Sequence, residues 1–264
     1  MIDISNLLYI LTLISAGLIA GIITGFVSAS ASVIITPMLT ILLGFDVYSA
    51  LGISLAADVV ASLTTTYVYH KHECVKYKKS FVLIIVAVLF TILGSFFTRN
   101  TSDTLLGGLA GVGICMLAFQ FIKGNFETRL KNLRENKIFI HFSEKHNLFI
   151  VVSGIVIGLN TGILGAGGGV LILFTLLFAY NIGIKSAIGT SAFTMSMIAL
   201  CGSIAHFYYG DFAIFEVVVT SIGSYIGAYI ASHYVHISSE KRVTRLAGIM
   251  FSVIGITMAI TGII

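Results

Sequence analysis

GILGAGGGVLIL, Gly162 to Leu173, packs four glycines into the five residues from Gly165 to Gly169, in the middle of an otherwise apolar stretch. Each glycine weakens a helix by roughly 1 kcal/mol relative to alanine, so an unbroken helix has no use for such a cluster. The stretch also has a partner. A displacement of 137 residues carries Gly17 to Gly154 and lays GLIAGIITGFVSASASVIITPML over GIVIGLNTGILGAGGGVLILFTL without a gap. Gly17, Gly21, Thr24, Gly25, Ala29, Val33, Ile35 and Leu39 meet identical residues at Gly154, Gly158, Thr161, Gly162, Ala166, Val170, Ile172 and Leu176. The register then holds through SALGISL and SAIGTSA, where Ser49, Ala50, Gly52 and Ser54 match Ser186, Ala187, Gly189 and Ser191. Chance likeness between apolar segments would not keep glycine, serine and threonine in one register over this length, so the chain is an internal duplication.

Composition places the duplication in a membrane. The 264 residues are 57% hydrophobic and 10% charged, with a mean hydropathy of +1.04, against about 25% charged residues in soluble domains. Ten apolar runs can be read: 6–26, 31–43, 50–69, 80–98, 105–122, 148–164, 168–180, 187–208, 212–234 and 243–263. The leader MIDISN carries Asp3 and no Lys or Arg, so the first run reads as a permanent helix and not a cleaved signal. If all ten runs cross, the loops alternate sides, and all of the 15 Lys and Arg residues except Arg99 fall on one face. That asymmetry marks the cytoplasmic face and puts both termini outside the plasma membrane. The basic stretch between the halves then reads as a solvated connector rather than a nucleic-acid patch. Residues 1–123 form a first transmembrane repeat, 124–146 a basic cytoplasmic connector and 147–264 a second repeat.

Five crossings per half make the second half enter the membrane in the opposite sense. The expected fold is therefore an all-α polytopic membrane protein of about ten transmembrane segments, arranged as two inverted five-segment repeats with broken helices at the repeat interface. The runs after the two clusters are short: about 13 residues of helix rise some 20 Å, less than the roughly 30 Å of a bilayer core. Non-helical backbone at that depth survives only where protein or a water-filled cavity satisfies it. SASAS (Ser28 to Ser32) and GAGGG (Gly165 to Gly169) each precede a short helix and so present helix N-termini, an environment that suits a small anion. Thr24, Ser28, Ser30 and Ser32 from the first half, with Thr161, Gly165, Gly167, Gly168 and Gly169 from the second, are the candidate binding residues. Ser54, Thr190 and Ser191 could join them from the following helices. For Gly17, Gly21, Gly154 and Gly158 the GxxxG spacing points to helix packing instead.

The pattern GxxxGxxTGxxGAGGG followed by SAxGTS, duplicated across two halves joined by a basic connector, resembles the sulfite exporter TauE/SafE family, also called TSUP transporters. The resemblance covers nearly the whole chain. It implies movement of small sulfur-containing anions such as sulfite or organosulfonates. The first half departs from the family pattern: serines and alanines replace its glycine cluster, with proline kept at Pro37, whereas Phe174 stands at the equivalent place in the second half.

Two carboxylates fall inside the apolar runs, Asp58 and, near the end of its run, Glu216. Asp58 lies near the middle of 50–69, where a charge is costly and functional by default; its expected role is proton or cation coupling, or gating. The bland alternative is a carboxylate satisfied by hydroxyls on neighbouring helices. Met195 stands at the equivalent position, so any such role is asymmetric. His206 and Glu216, flanking the turn YYGD, are expected to be solvated. No GxxxxGK[ST], HExxH or GxSxG motif is present, and Cys74, Cys115 and Cys201 have no metal-ligand spacing. The sequence thus points away from an ATPase, an enzyme, a cofactor or a metal site. The function expected is secondary transport of a small anion at a midplane site, by alternating access. The alternative is a passive anion channel of the same architecture. Outward movement of one negative charge is favoured by about 2.3 kcal/mol per 100 mV, so export needs no partner ion, while uptake does. Oligomeric state is left open by the sequence.

Overall fold

The computed structural model describes residues 4–99, 146–165, 168–180, 182–209 and 213–239, with a few positions from 242 to 249. The fifth apolar run, most of the tenth, nearly all of the connector and Gly167 lie outside the described residues. Eight helices are described: α1 (Ile4–Val27), α2 (Ser32–Leu43), α3 (Val47–Lys71), α4 (Tyr77–Arg99), α5 (His146–Leu164), α6 (Gly168–Tyr180), α7 (Ile184–Tyr209) and α8 (Ile214–Ile237). No strand occurs among the described residues. Six of the helices are long and apolar enough to cross a membrane, whereas α2 and α6 are the short pair. At 12 and 13 residues they match the lengths expected from the sequence.

The helix packing follows the duplication. The first helix of each half packs on the fourth helix of the other: α1 on α8, and α5 on α4. The second block of each half meets its equivalent, α3 against α7. Glycines set the closeness of these contacts. A Cβ on Gly21 would fall on the Ser224 carbonyl oxygen, and one on Gly158 would fall on that of Ala87. Shifting Ala87 by the repeat displacement gives Ser224, so the two contacts are equivalent residue for residue. Gly25 against Ala228 and Gly162 against Thr91 form a second equivalent pair. Lipid is as apolar as leucine, and helix association in it rests on such close backbone approach rather than on apolar burial. Leu13, Ala16 and Ala20 of α1 are accordingly fully buried, while Leu7, Leu8 and Leu11 are exposed.

Contact order gives the helix directions. Gly17, Gly21 and Gly25 meet Thr220, Ser224 and Ala228 in sequence, so α1 and α8 run the same way. Gly52 meets His206 and Phe207 while Gly189 meets Tyr69, so α3 and α7 run in opposite directions. The loops collect at two ends. At one, the Tyr9 hydroxyl donates to Glu216 Oε1 at 2.7 Å and the Tyr48 ring lies 4.7 Å from that of His206. At the other, the His72 and His236 rings stack, Lys185 Nζ donates to the His236 carbonyl at 2.8 Å, and the Lys76 N–H donates to Thr190 Oγ1 at 2.9 Å. The solvated reading of His206 does not hold. It is 1% exposed, and its Nδ1 bonds the Gly202 carbonyl one turn back, because Tyr48 at the start of α3 covers the end of α7.

Gly158→Val, which drives a side chain into the α4 backbone, is expected to cost about 3 kcal/mol. Gly44→Ala, at a left-handed φ of 71° but with open space around its Cβ, is expected to cost only about 1 kcal/mol. Thermal melting of the two purified variants in detergent checks the difference.

Candidate functional site

The two clusters share one backbone device. Ser28 has φ 55° and Gly165 has φ 61°, both left-handed, at positions equivalent under the repeat. Each donates its N–H to the threonine four residues earlier: Ser28 to the Thr24 carbonyl at 2.8 Å, Gly165 to that of Thr161 at 2.9 Å. A left-handed residue ends the long helix and turns the chain back, so that α2 runs antiparallel to α3: Ser30, just before α2, lies beside Asp58 and Thr36 of α2 beside Ser54. Glycine takes this conformation freely, whereas at Ser28 it costs about 1–2 kcal/mol.

The clusters touch each other. Gly169 lies so close to the Ser28 carbonyl that a Cβ there would overlap it, and a Cβ on Gly165 would stand 3.7 Å from that of Ser32. These two contacts are again equivalents. The halves also meet at Ser30, whose Oγ lies 3.2 Å from the Gly165 carbonyl oxygen.

Asp58 closes the first cluster. Its carboxylate is fully buried; Oδ2 lies 2.5 Å from Ser30 Oγ and Oδ1 accepts from Ser62 Oγ at 3.1 Å. The Ala31 backbone N–H also faces the carboxylate. The start of α2 has no side-chain cap of its own, and Asp58 supplies one from α3, placing negative charge where the helix dipole favours it. The titratable groups on helices packed against α3 are not among its partners. They include Tyr9 and Glu216, bonded to each other, His206 and Cys201 on α7, and Lys185 and His236 at the basic end. Ser62 was not anticipated, although it stands four residues after Asp58 and therefore on the same helix face.

The second cluster has the same parts with different chemistry. Met195 replaces Asp58, and its sulfur lies 3.2 Å from where a Gly168 Cβ would be. The Thr161 hydroxyl is the nearest group of all to that point. It is fully buried and has no hydrogen-bond partner among the described residues. Its equivalent, Thr24, donates instead to backbone carbonyls of Ala20 and Ala29 at 3.0 and 2.8 Å. Ser28 Oγ and Ser32 Oγ are likewise buried without partners among the described residues. Buried hydroxyls are normally paired, so three orphans around one pair of clusters call for a ligand or water.

The remaining candidates sit farther along the helices. Ser54 donates to the Leu51 carbonyl at 2.9 Å and accepts from Thr36 at 3.0 Å, near the middle of α2. Ser191 bonds the Ile188 carbonyl at 2.9 Å. Thr190 is not brought to the clusters: its hydroxyl donates to Ser186 and accepts from Lys76, tying α7 to the turn before α4.

A model of the family described as Sulfite exporter TauE/SafE matches residues 13–258. The chain is 23% identical over 227 residues to "Probable membrane transporter protein YdhB" of Bacillus subtilis, covering 86% of this chain and 88% of that one. It is 22% identical over 270 residues to "Probable membrane transporter protein YunE" of the same organism, covering 95% and 97%. A third relative, "Probable membrane transporter protein MJ0441" of Methanocaldococcus jannaschii, is 23% identical over 211 residues, 78% of this chain and 75% of that one. No solved structure matches the chain.

Ser28→Gly relieves a left-handed serine and removes an orphaned hydroxyl, and is expected to raise stability by about 1 kcal/mol. Ser30→Ala strips a donor from a buried carboxylate and is expected to lower it by about 2 kcal/mol. Opposite shifts in melting temperature in the absence of any added anion check both.

Proposed function

The chain belongs to the sulfite exporter TauE/SafE family of membrane transporters, and from that membership together with the paired clusters we propose that it moves a small sulfur-containing anion, sulfite or an organosulfonate, out of the cell. The architecture we propose is ten segments in two inverted repeats, spanning the plasma membrane with both termini outside. The opposite run of α3 and α7 supports the inversion, as does the cross-packing of α1 on α8 and α5 on α4. The gathering of Lys76 and Lys185 at one end supports the orientation. The single observation that carries the transport reading is the contact between two helix N-termini, one from each half, in a region where buried hydroxyls have no partners among the described residues. Alternating access follows if the halves rock about that contact, since substrate sites of inverted-repeat transporters lie at the repeat interface.

Ser30 gives Asp58 a means of coupling. A hydroxyl has one hydrogen, and Ser30 Oγ faces two acceptors, Asp58 Oδ2 and the Gly165 carbonyl. When the carboxylate is ionised it holds that hydrogen. When Asp58 carries a proton the carboxyl donates to Ser30, and the Ser30 hydrogen is free to bond Gly165 and tie the halves together. Protonation of one side chain thus changes a bond between the two halves.

Proteoliposomes offered sulfite, thiosulfate, sulfoacetate and nonsulfur anions test the reading: saturable flux of a sulfur-containing anion is expected, and its absence for every anion refutes it. Currents far above transporter turnover would establish the channel instead. Gly168→Val, which fills the space before the Thr161 hydroxyl, is expected to abolish flux in a protein that still reaches the membrane. Asp58→Asn is expected to remove the pH dependence of flux, and full retention of that dependence would remove the coupling role.

A further inference from the structure

We infer that the two helix N-termini are equivalent seats for negative charge, one filled permanently by the Asp58 carboxylate and the other, at the start of α6, left for the transported oxyanion, with Thr161 as its hydroxyl donor and Met195 as a displaceable plug. The inference rests on the reading of the chain as an anion transporter and assigns the cargo to one half of the site.

The two seats correspond residue for residue across the repeat. In the first half the seat consists of the Ala31 N–H, the Ser30 hydroxyl and the first turn of α2, and a carboxylate lies in it. In the second half the corresponding turn begins at Gly168, and residue 195 approaches it as residue 58 approaches Ala31. There the side chain is a thioether with no charge. The first N–H groups of α6 have no intrahelical partners, by the geometry of any helix, and carry the positive end of its dipole. Thr161 supplies the independent sign of a ligand: its hydroxyl is fully buried, unpartnered and aimed at the Gly168 position. In the occupied seat the threonine hydroxyl is turned to backbone carbonyls and takes no part. In the open seat it is held ready to donate.

Met195 suits a plug. Its unbranched side chain has three rotatable bonds and moves at little cost, and it is fully buried against the seat. Glycine at 168 and 169 leaves the backbone bare, so an oxyanion can reach the N–H groups once the methionine swings away.

The test is binding of radiolabelled sulfite to the purified full-length protein in detergent, with a monodisperse elution profile required of every variant. Met195→Asp puts a tethered carboxylate in the open seat, as Asp58 does in the other, and is expected to weaken sulfite binding at least about tenfold. Met195→Asn, of the same size but uncharged, is expected to stay within about threefold of the unaltered protein. Thr161→Val is expected to weaken binding about tenfold, and Thr161→Ser to restore it. Undiminished binding by Met195→Asp overturns the inference, and so does equal loss in Met195→Asp and Met195→Asn. Should the aspartate variant fail to fold, undiminished binding by Thr161→Val overturns it on its own. If the unaltered protein binds no sulfite, thiosulfate or sulfoacetate, the transport reading fails and takes the inference with it; binding to the unaltered protein with no effect of these substitutions defeats the inference alone.

Discussion

A helix that stops inside a membrane leaves N–H groups that hydrocarbon cannot satisfy, and the arrangement around Ser28 and Gly165 answers that demand. The first half answers it with protein: Asp58 reaches from α3 to cap α2, and Ser30 and Ser62 complete the carboxylate's own hydrogen bonds. Burying a carboxylate without partners would cost several kcal/mol, so these donors are what permit the break at all. Among the described residues the second half offers no such internal anion. Its N-terminus is lined by glycine, an unpaired threonine hydroxyl and a methionine. On the proposed reading the same local problem is solved once by the chain and once by its cargo.

The scaffold makes this comparison possible because it is equivalent at the level of single contacts. Gly21 lies on Ser224 as Gly158 lies on Ala87, which fixes the height of each broken helix against the helix that carries it. Overlap with a neighbouring backbone is not relieved by rotating a side chain, so the glycines act as rigid spacers that keep both clusters at one level. Close packing of α3 on α7 then brings residues 58 and 195 from opposite sides toward the same pair of turns.

Much of this was legible in the sequence, and the reason is the duplication. The 137-residue register located the clusters, the short helices and the equivalence of Asp58 with Met195, because glycine and serine are placed by backbone requirements that both halves share. Helix periodicity could have added Ser62, one turn after Asp58. What the sequence hid is direction: nothing in it tells that Ser30 points at Asp58 while Ser28 and Ser32 do not, or that Thr190 turns to the Lys76 amide. Those choices depend on which helix lies opposite, a property of tertiary packing. His206 was misread for the same reason, since its place near a loop implied water and Tyr48 had no visible claim on it.

The asymmetry between Asp58 and Met195 has a physical logic that symmetry would defeat. Two carboxylates would fill both seats and leave no room for cargo. Two methionines would leave both open, and two neighbouring anions repel even at an effective dielectric of about 20, so a second would bind poorly and the first would have no fixed place. One tethered carboxylate breaks the degeneracy. It stabilises the interrupted helix when no substrate is bound, confines the mobile anion to the other seat, and holds a negative charge beside it that helps the anion to leave. A proton on Asp58 removes that repulsion and redirects the Ser30 hydrogen toward Gly165. Retention and release of an anion can then be controlled by one side chain, without any change in the residues that touch the anion itself.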